Sequence, residues 1–174
     1  MRKIEEGIKT IIEEMGFESK DPNFVDTPKR VARFYKELIS CEKPSLTTFP
    51  TRSREMLLIK GHVAWSLCPH HLLPVKYEVK VGYICAGKAL GLSKLARIVD
   101  YHMAKLPLQE DLSLLIMDDL KEALNPPGYG VVVKGDHLCM QMRGVKSPCA
   151  NAITNGLRGQ FLFNPATREE FLRA

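Results

Sequence analysis

The chain has 174 residues, 45% hydrophobic and 26% charged, with 25 basic against 20 acidic side chains and a net charge of +5. This mixed composition excludes disorder, collagen and coiled-coil arrays, and the chain is long enough to bury a core without a disulfide or a metal. No apolar run approaches the roughly 20 residues of a membrane-spanning helix, and the mild basic excess suits an anionic small molecule such as a nucleotide without requiring nucleic acid or a membrane surface.

Ile4, Ile8, Ile11, Ile12 and Met15 recur at helical spacing among Glu and Lys, which predicts an amphipathic helix over residues 2–16 stopped by Gly16. The same interleaving leaves no continuous apolar segment of the kind a secretory leader carries, so a cytoplasmic protein is expected. Five cysteines in a reducing compartment then argue against a disulfide framework. Asp26-Thr27-Pro28 opens a second helix whose apolar stripe is Val31, Phe34, Tyr35 and Leu38. The Pro- and Ser/Thr-rich stretch 41–54 reads as a loop.

Strands are expected over 55–65 and 75–85, the second from the alternation of Val75, Tyr77, Val79, Val81 and Tyr83. Helices follow over 91–103 and 108–124, ended by Asn125-Pro126-Pro127-Gly128. Two more strands are expected at 129–134 and 137–145, then a closing helix at 167–173. The order predicts an α+β fold, an antiparallel sheet with helices on one face and an N-terminal helical extension. The domains expected are an N-terminal helical region, 1–50, and a catalytic domain, 51–174.

The strongest chemical signal is Cys68-Pro69-His70-His71, joined 71 residues later by His137-Leu138-Cys139. C-x-x-H turns the chain back on itself, and in a strand His137 and Cys139 would point to one face. Two thiolates and an imidazole form a borderline-soft donor set that suits Zn²⁺, and three protein ligands leave a fourth position open, the catalytic pattern. A zinc ion lowers the pKa of its water to roughly 7, and the spare imidazoles could transfer protons. Buried cysteines and satisfied core histidines would give the same spacing without a metal. Cys41, Cys85 and Cys149 have no histidine beside them and read as packing or surface thiols.

Gly91-Leu92-Ser93-Lys94-Leu95-Ala96-Arg97 puts Ser93, Lys94 and Arg97 at a helix N-terminus, where backbone N–H groups favour anions. It lacks the spacing of a P-loop, and a solvated basic helix start would look the same. Arg143 could add a cation near Cys139. Gln109-Glu110 opens the long helix, where a Glu either complements the helix dipole or accepts the paired N–H donors of a guanine edge.

Taken together, CPHHLLP, GLSKLARIVD, LQEDL, HLCMQMRGVK and TREEFL resemble the GTP cyclohydrolase I family, in order and over most of the chain from Asp26 to Leu172. The resemblance implies the tunnelling fold, assembled as a toroidal homodecamer with active sites at subunit interfaces. It implies Cys68, His71 and Cys139 as ligands of a zinc cofactor and His70 and His137 as catalytic imidazoles. It implies Glu110, helped by Gln109, on the guanine ring. Ser93, Lys94, Arg97 and Arg143 would line a triphosphate pocket that Arg30 reaches from a neighbouring subunit. The activity implied is hydrolysis of GTP to 7,8-dihydroneopterin triphosphate and formate, at the entry to folate, pterin or deazapurine synthesis.

Departures from the family pattern are Pro69 in place of the usual Glu, Cys85 in place of a Pro, a missing Gly after the HHLLP segment, and fewer hydroxyls over residues 146–154. The alternative they raise is a divergent tunnelling-fold paralogue with an altered purine or pterin substrate or reduced activity. A nitrile reductase of the same fold would need a nucleophilic cysteine in a pattern that is absent here. A non-catalytic nucleotide-binding subunit would not need all three ligands and both imidazoles.

Overall fold

The computed structural model describes residues 2–174. It divides into a helical unit that ends at Ser40 and a larger unit, Cys41–Ala174. In the helical unit, α1 (Arg2–Glu14) and α2 (Thr27–Ile39) pack on each other and bury Ile12 and Ala32. Gly16 ends α1 with φ +85°, a conformation glycine adopts without a Cβ penalty. Pro28 sits in the first turn of α2, where its missing N–H costs nothing.

The larger unit is built on a four-stranded antiparallel sheet in the order β2 (Met56–Leu67), β3 (Pro74–Ile84), β5 (Gly128–His137), β6 (Ala152–Gly159). A two-stranded ribbon pairs β1 (Thr48–Pro50) with β4 (Lys88–Leu90). Along β3 the alternate residues Val75, Tyr77, Val79, Val81 and Tyr83 are all buried. Against that face lie α3 (Leu92–Met103) and α4 (Gln109–Leu124), through Leu95, Ile98, Val99, Leu112, Ile116 and Leu120. Each such aliphatic side chain stabilises by about 1.5–3 kcal/mol when removed from water. The register of β2 on β3 shifts between Ile59 and His62, at Gly61 with φ +72°. The shift keeps Leu57 and Ile59 on the helix-covered side before it and Ala64 and Ser66 there after it.

Two contacts fix the direction of α3. The Tyr83 hydroxyl accepts from the Leu90 N–H at 2.8 Å, just before α3 begins, and Ser66 Oγ donates to the Met103 carbonyl at 2.7 Å, where α3 ends. The helix therefore runs from the Tyr83 end of the sheet to the Val75 end. His102 and Asp119 tie α3 to α4 through a buried 2.7 Å hydrogen bond, and Lys43 reaches the other Asp119 oxygen at 3.3 Å. On the opposite sheet face, α6 (Gln160–Phe163) and α7 (Pro165–Arg173) cover one end only, with Phe161 and Phe171 against Leu58 and Val132. Val63, Trp65 and Ile153 are exposed on the rest of it.

The α+β class, the antiparallel sheet and the main helical layer agree with the sequence reading; the strands β1, β4 and β6 and the short helices Leu138–Gln141 and α6 do not, and α6 with α7 covers part of a second face where helices on one face were expected. The fourth strand is 152–159, not 137–145. His137 is the last residue of β5, and the next four residues turn into the short helix α5 (Leu138–Gln141). Gly156 and Gly159 weaken the strand pattern of β6, and Gly156 is bare because Met117 packs where its Cβ would be. β1 and β4 are three-residue ladders, too short to leave an alternation. Because β1 belongs to the larger unit, the helical unit stops at Ser40 and not at residue 50.

Candidate active site

The hairpin loop between β2 and β3 is closed by its own backbone. The Cys68 N–H donates to the Leu73 carbonyl at 2.9 Å, and the Cys68 carbonyl accepts from the N–H groups of His71 (3.2 Å) and Leu72 (2.8 Å). Pro69 occupies the second position of this turn, where a fixed φ near −65° is favoured, so a proline there suits the turn. Leu72 takes φ +53° to close it. The result brings Cys68 Sγ within 3.6 Å of His71 Nδ1 and 3.9 Å of His70 Nδ1.

The second cluster arrives through strand register. Val75 pairs with His137, which delivers α5 and Cys139 beside Cys68. One ligand atom each from Cys68, His71 and Cys139 lie within 4.8 Å of one another. Both cysteines are buried and His71 is exposed. Burial pushes the Cys139 thiol up, and the neighbouring Cys68 adds to this, against the lowering charge of Arg143. A cation bound by both sulfurs would reverse that by taking them as thiolates. His137 and Cys139 do not share a strand face as the sequence suggested; the turn into α5 separates their roles.

His137 is held differently. Its Nε2 lies 2.7 Å from Gln109 Oε1. The Gln109 amide donates through Nε2 to the Ala152 carbonyl at 2.9 Å and the Val133 carbonyl at 3.4 Å. Two carbonyls on the nitrogen side orient the amide, so Oε1 must accept, and the His137 proton sits on Nε2. Thr154 Oγ1 donates to the Gln109 carbonyl at 3.3 Å and anchors the start of α4. Gly135 makes this possible, since a Cβ there would meet Gln109 Oε1, Tyr77 Cε1 and His137 Nε2. Burial lowers the His137 pKa, opposed by the charges of Glu110 and Asp136.

A cavity of about 300 Å³ gathers these groups: Cys68, His70, His71, Glu110, His137 and Cys139 all line it. Glu110 is exposed in the first turn of α4. Ser93, Lys94 and Arg97 do not line it; they lie in the first half of α3, which starts at the Tyr83 end of the sheet, and Lys94 Nζ donates to Ser45 Oγ at 3.1 Å. Tyr83 is eight residues beyond Val75, about 26 Å at roughly 3.3 Å per residue. Arg143 is exposed in the loop after α5, close enough for its charge to act on Cys139. Arg30 belongs to the helical unit and pairs with Asp26 at 3.5 Å. Tyr77, Gly135 and Thr154 were missed in the sequence. Tyr77 alternates with core valines and looks like one of them, whereas a glycine inside the strand before His137 was a legible sign of close approach.

Comparison with known proteins adds four findings. The family model for GTP cyclohydrolase I matches residues 4–174. GTP cyclohydrolase 1 of Clostridium perfringens is 39% identical over 98% of this chain and 95% of its own length. The protein of the same name from Carboxydothermus hydrogenoformans is 42% identical over 97% of this chain and 91% of its own. Among solved structures, the apo form of an archaeosine synthase QueF-Like superposes with a TM-score of 0.52 at 24% identity, covering 62% of this chain and 97% of that one. That likeness is one of fold, and it agrees with the tunnelling fold.

Proposed function

The chain belongs to the GTP cyclohydrolase I family, and we propose that it converts GTP and one net water to 7,8-dihydroneopterin triphosphate and formate, with zinc held by Cys68, His71 and Cys139. One observation carries the proposal: three soft and borderline donors within 4.8 Å of one another share a cavity with Glu110 and with a His137 fixed through Gln109. Two thiols and an imidazole at that spacing fit a tetrahedral zinc with one position left for water. When bound, the metal supplies Lewis-acid activation of a water for attack at purine C8.

The chain's own residues do the rest. The Glu110 carboxylate accepts from guanine N1–H and the 2-amino group, a donor pair that adenine lacks. His137, whose Nε2–H is held by Gln109, acts as the imidazolium: it gives its second proton, at Nδ1, to N7 as the C8–N bond opens and is left as the neutral Nε2–H tautomer. Gln109 acts as a positioning residue for His137 and not as a grip on the base, since both ends of its amide are taken within the chain. His70 carries protons while the ribose opens and rearranges.

Ser93, Lys94 and Arg97 stand too far along α3 to meet a triphosphate in the same chain's cavity. In the proposed decamer they serve the cavity of a neighbouring copy, as Arg30 does, and Arg143 faces its own. The edge strands β2 and β6 each pair on one side only, which offers the junctions such a ring needs. No helix among the described residues is long and apolar enough to cross a membrane, and action in the cytoplasm is part of the proposal. The test is to incubate purified, metal-quantified protein with GTP and follow the fluorescent oxidised pterin with and without a chelator. Chelator-sensitive pterin formation is expected; none from zinc-replete protein overturns the reading.

A further inference from the structure

Tyr77 is the second of the five buried residues along one face of β3, and only 1% of its surface is exposed. Tyr83, in the same strand, satisfies its hydroxyl with the Leu90 N–H. The Tyr77 hydroxyl has no such partner among the described residues, yet no sealed side-chain oxygen or nitrogen among them is left unpartnered. The sliver of surface that Tyr77 keeps therefore lies at its hydroxyl, and the residue lines the cavity that holds the Cys/His cluster and Glu110. A nine-tenths buried polar group that opens only onto a binding cavity is aimed at whatever fills it.

The ring is also fixed. It meets the His137 ring edge-on, with centroids 5.8 Å apart and planes at 89°. Its Cε1 lies 2.8 Å from where a Cβ on residue 135 would stand, too close for one, so Gly135 leaves room for the tyrosine ring. Strand β3 and α4 hold the rest of the side chain in the core. The hydroxyl is thus placed before any ligand arrives, and little ordering cost remains on binding. It is also a donor at working pH, since a phenol is protonated there.

Resting on the guanine-nucleotide reading above, we propose that Tyr77 is a substrate-contacting residue whose hydroxyl donates a hydrogen bond to a ring acceptor of the bound purine, beside His137. Once Glu110 takes the N1–H and one hydrogen of the 2-amino group, and His137 serves N7, the ring acceptors O6 and N3 still lack a donor from the chain, and a phenol hydroxyl supplies one.

The test is Tyr77→Phe in the full-length, zinc-loaded protein, which keeps the ring and its packing and deletes only the hydroxyl. Zinc content and Tm should match the parent, while kcat/KM for GTP falls about tenfold. In both proteins stripped of zinc, so that GTP binds without turning over, calorimetry should show GTP affinity reduced by a similar factor in Tyr77→Phe. An unchanged kcat/KM and unchanged affinity with an active parent would overturn this inference alone. A parent that binds no guanine nucleotide would sink the functional reading and this inference with it.

Discussion

Replacing Gln109 with Leu removes the acceptor 2.7 Å from His137 Nε2 and the donor 2.9 Å from the Ala152 carbonyl, while roughly preserving side-chain volume. The lost hydrogen bonds cost about 1 kcal/mol each, and a buried partner left unsatisfied adds about 1–3 kcal/mol. Part of that is recovered because the Val133 contact is long, at 3.4 Å. A net loss of about 2–3 kcal/mol lowers Tm by about 4–12 °C for a chain of this size. The catalytic effect is comparable in free energy. An imidazole free to rotate or to change tautomer presents the wrong atom to the base, and misplacement of this kind costs on the order of 10- to 100-fold in kcat. Glu110 is untouched, so KM should barely change. The assay is steady-state pterin formation on variant protein with its zinc measured, run well below the lowered Tm. A raised KM with kcat intact would refute the positioning argument and return Gln109 to the base as a direct grip.

Glu110→Ala should lower kcat/KM for GTP on the order of 30- to 1000-fold with zinc retained, because a charged bidentate contact is lost; near-normal turnover would reduce Glu110 to a helix-start residue. Cys139→Ala should lose metal and activity together, and stoichiometric zinc by elemental analysis would break the ligand assignment. Gly159→Ala should destabilise by about 2–4 kcal/mol, since residue 159 has φ +57° and a Cβ would strike the Pro127 carbonyl backbone; an unchanged melting temperature contradicts this. Lys94→Ala and His137→Ala chains, each inactive alone, should regain partial activity when co-assembled, and so should Arg30→Ala with His137→Ala. Verified mixed assemblies with no rescue would put the phosphate-binding residues back in the cavity's own chain.

Long periodic elements were legible because burial writes their pattern. The alternation of Val75, Tyr77, Val79, Val81 and Tyr83 follows from one sheet face lying under α3 and α4. The three donors that could hold a metal were legible because few residue types bind zinc, although their geometry was not. Cys139 reaches Cys68 through the pairing of Val75 with His137 and a turn into α5, neither of which leaves a local signal. β6 was misplaced because Gly156 makes room for Met117 at the expense of strand propensity. Gln109 was readable as a candidate site residue but its hydrogen bonds were not, since the carbonyls of Val133 and Ala152 that orient its amide come from two other strands. The separation of Ser93, Lys94 and Arg97 from the cavity depends on which way α3 runs across the sheet, a tertiary fact.

The central claim is a zinc-dependent opening of the guanine imidazole ring with loss of C8 as formate. GTP labelled with ¹³C at C8, incubated with the zinc-loaded protein and followed by NMR, tests it directly. The label should leave the purine and appear as formate in step with dihydroneopterin triphosphate, and Cys139→Ala protein should leave it in GTP. Label that stays in the purine with active-site zinc in place, or formate release that persists in the Cys139→Ala protein, would contradict the account.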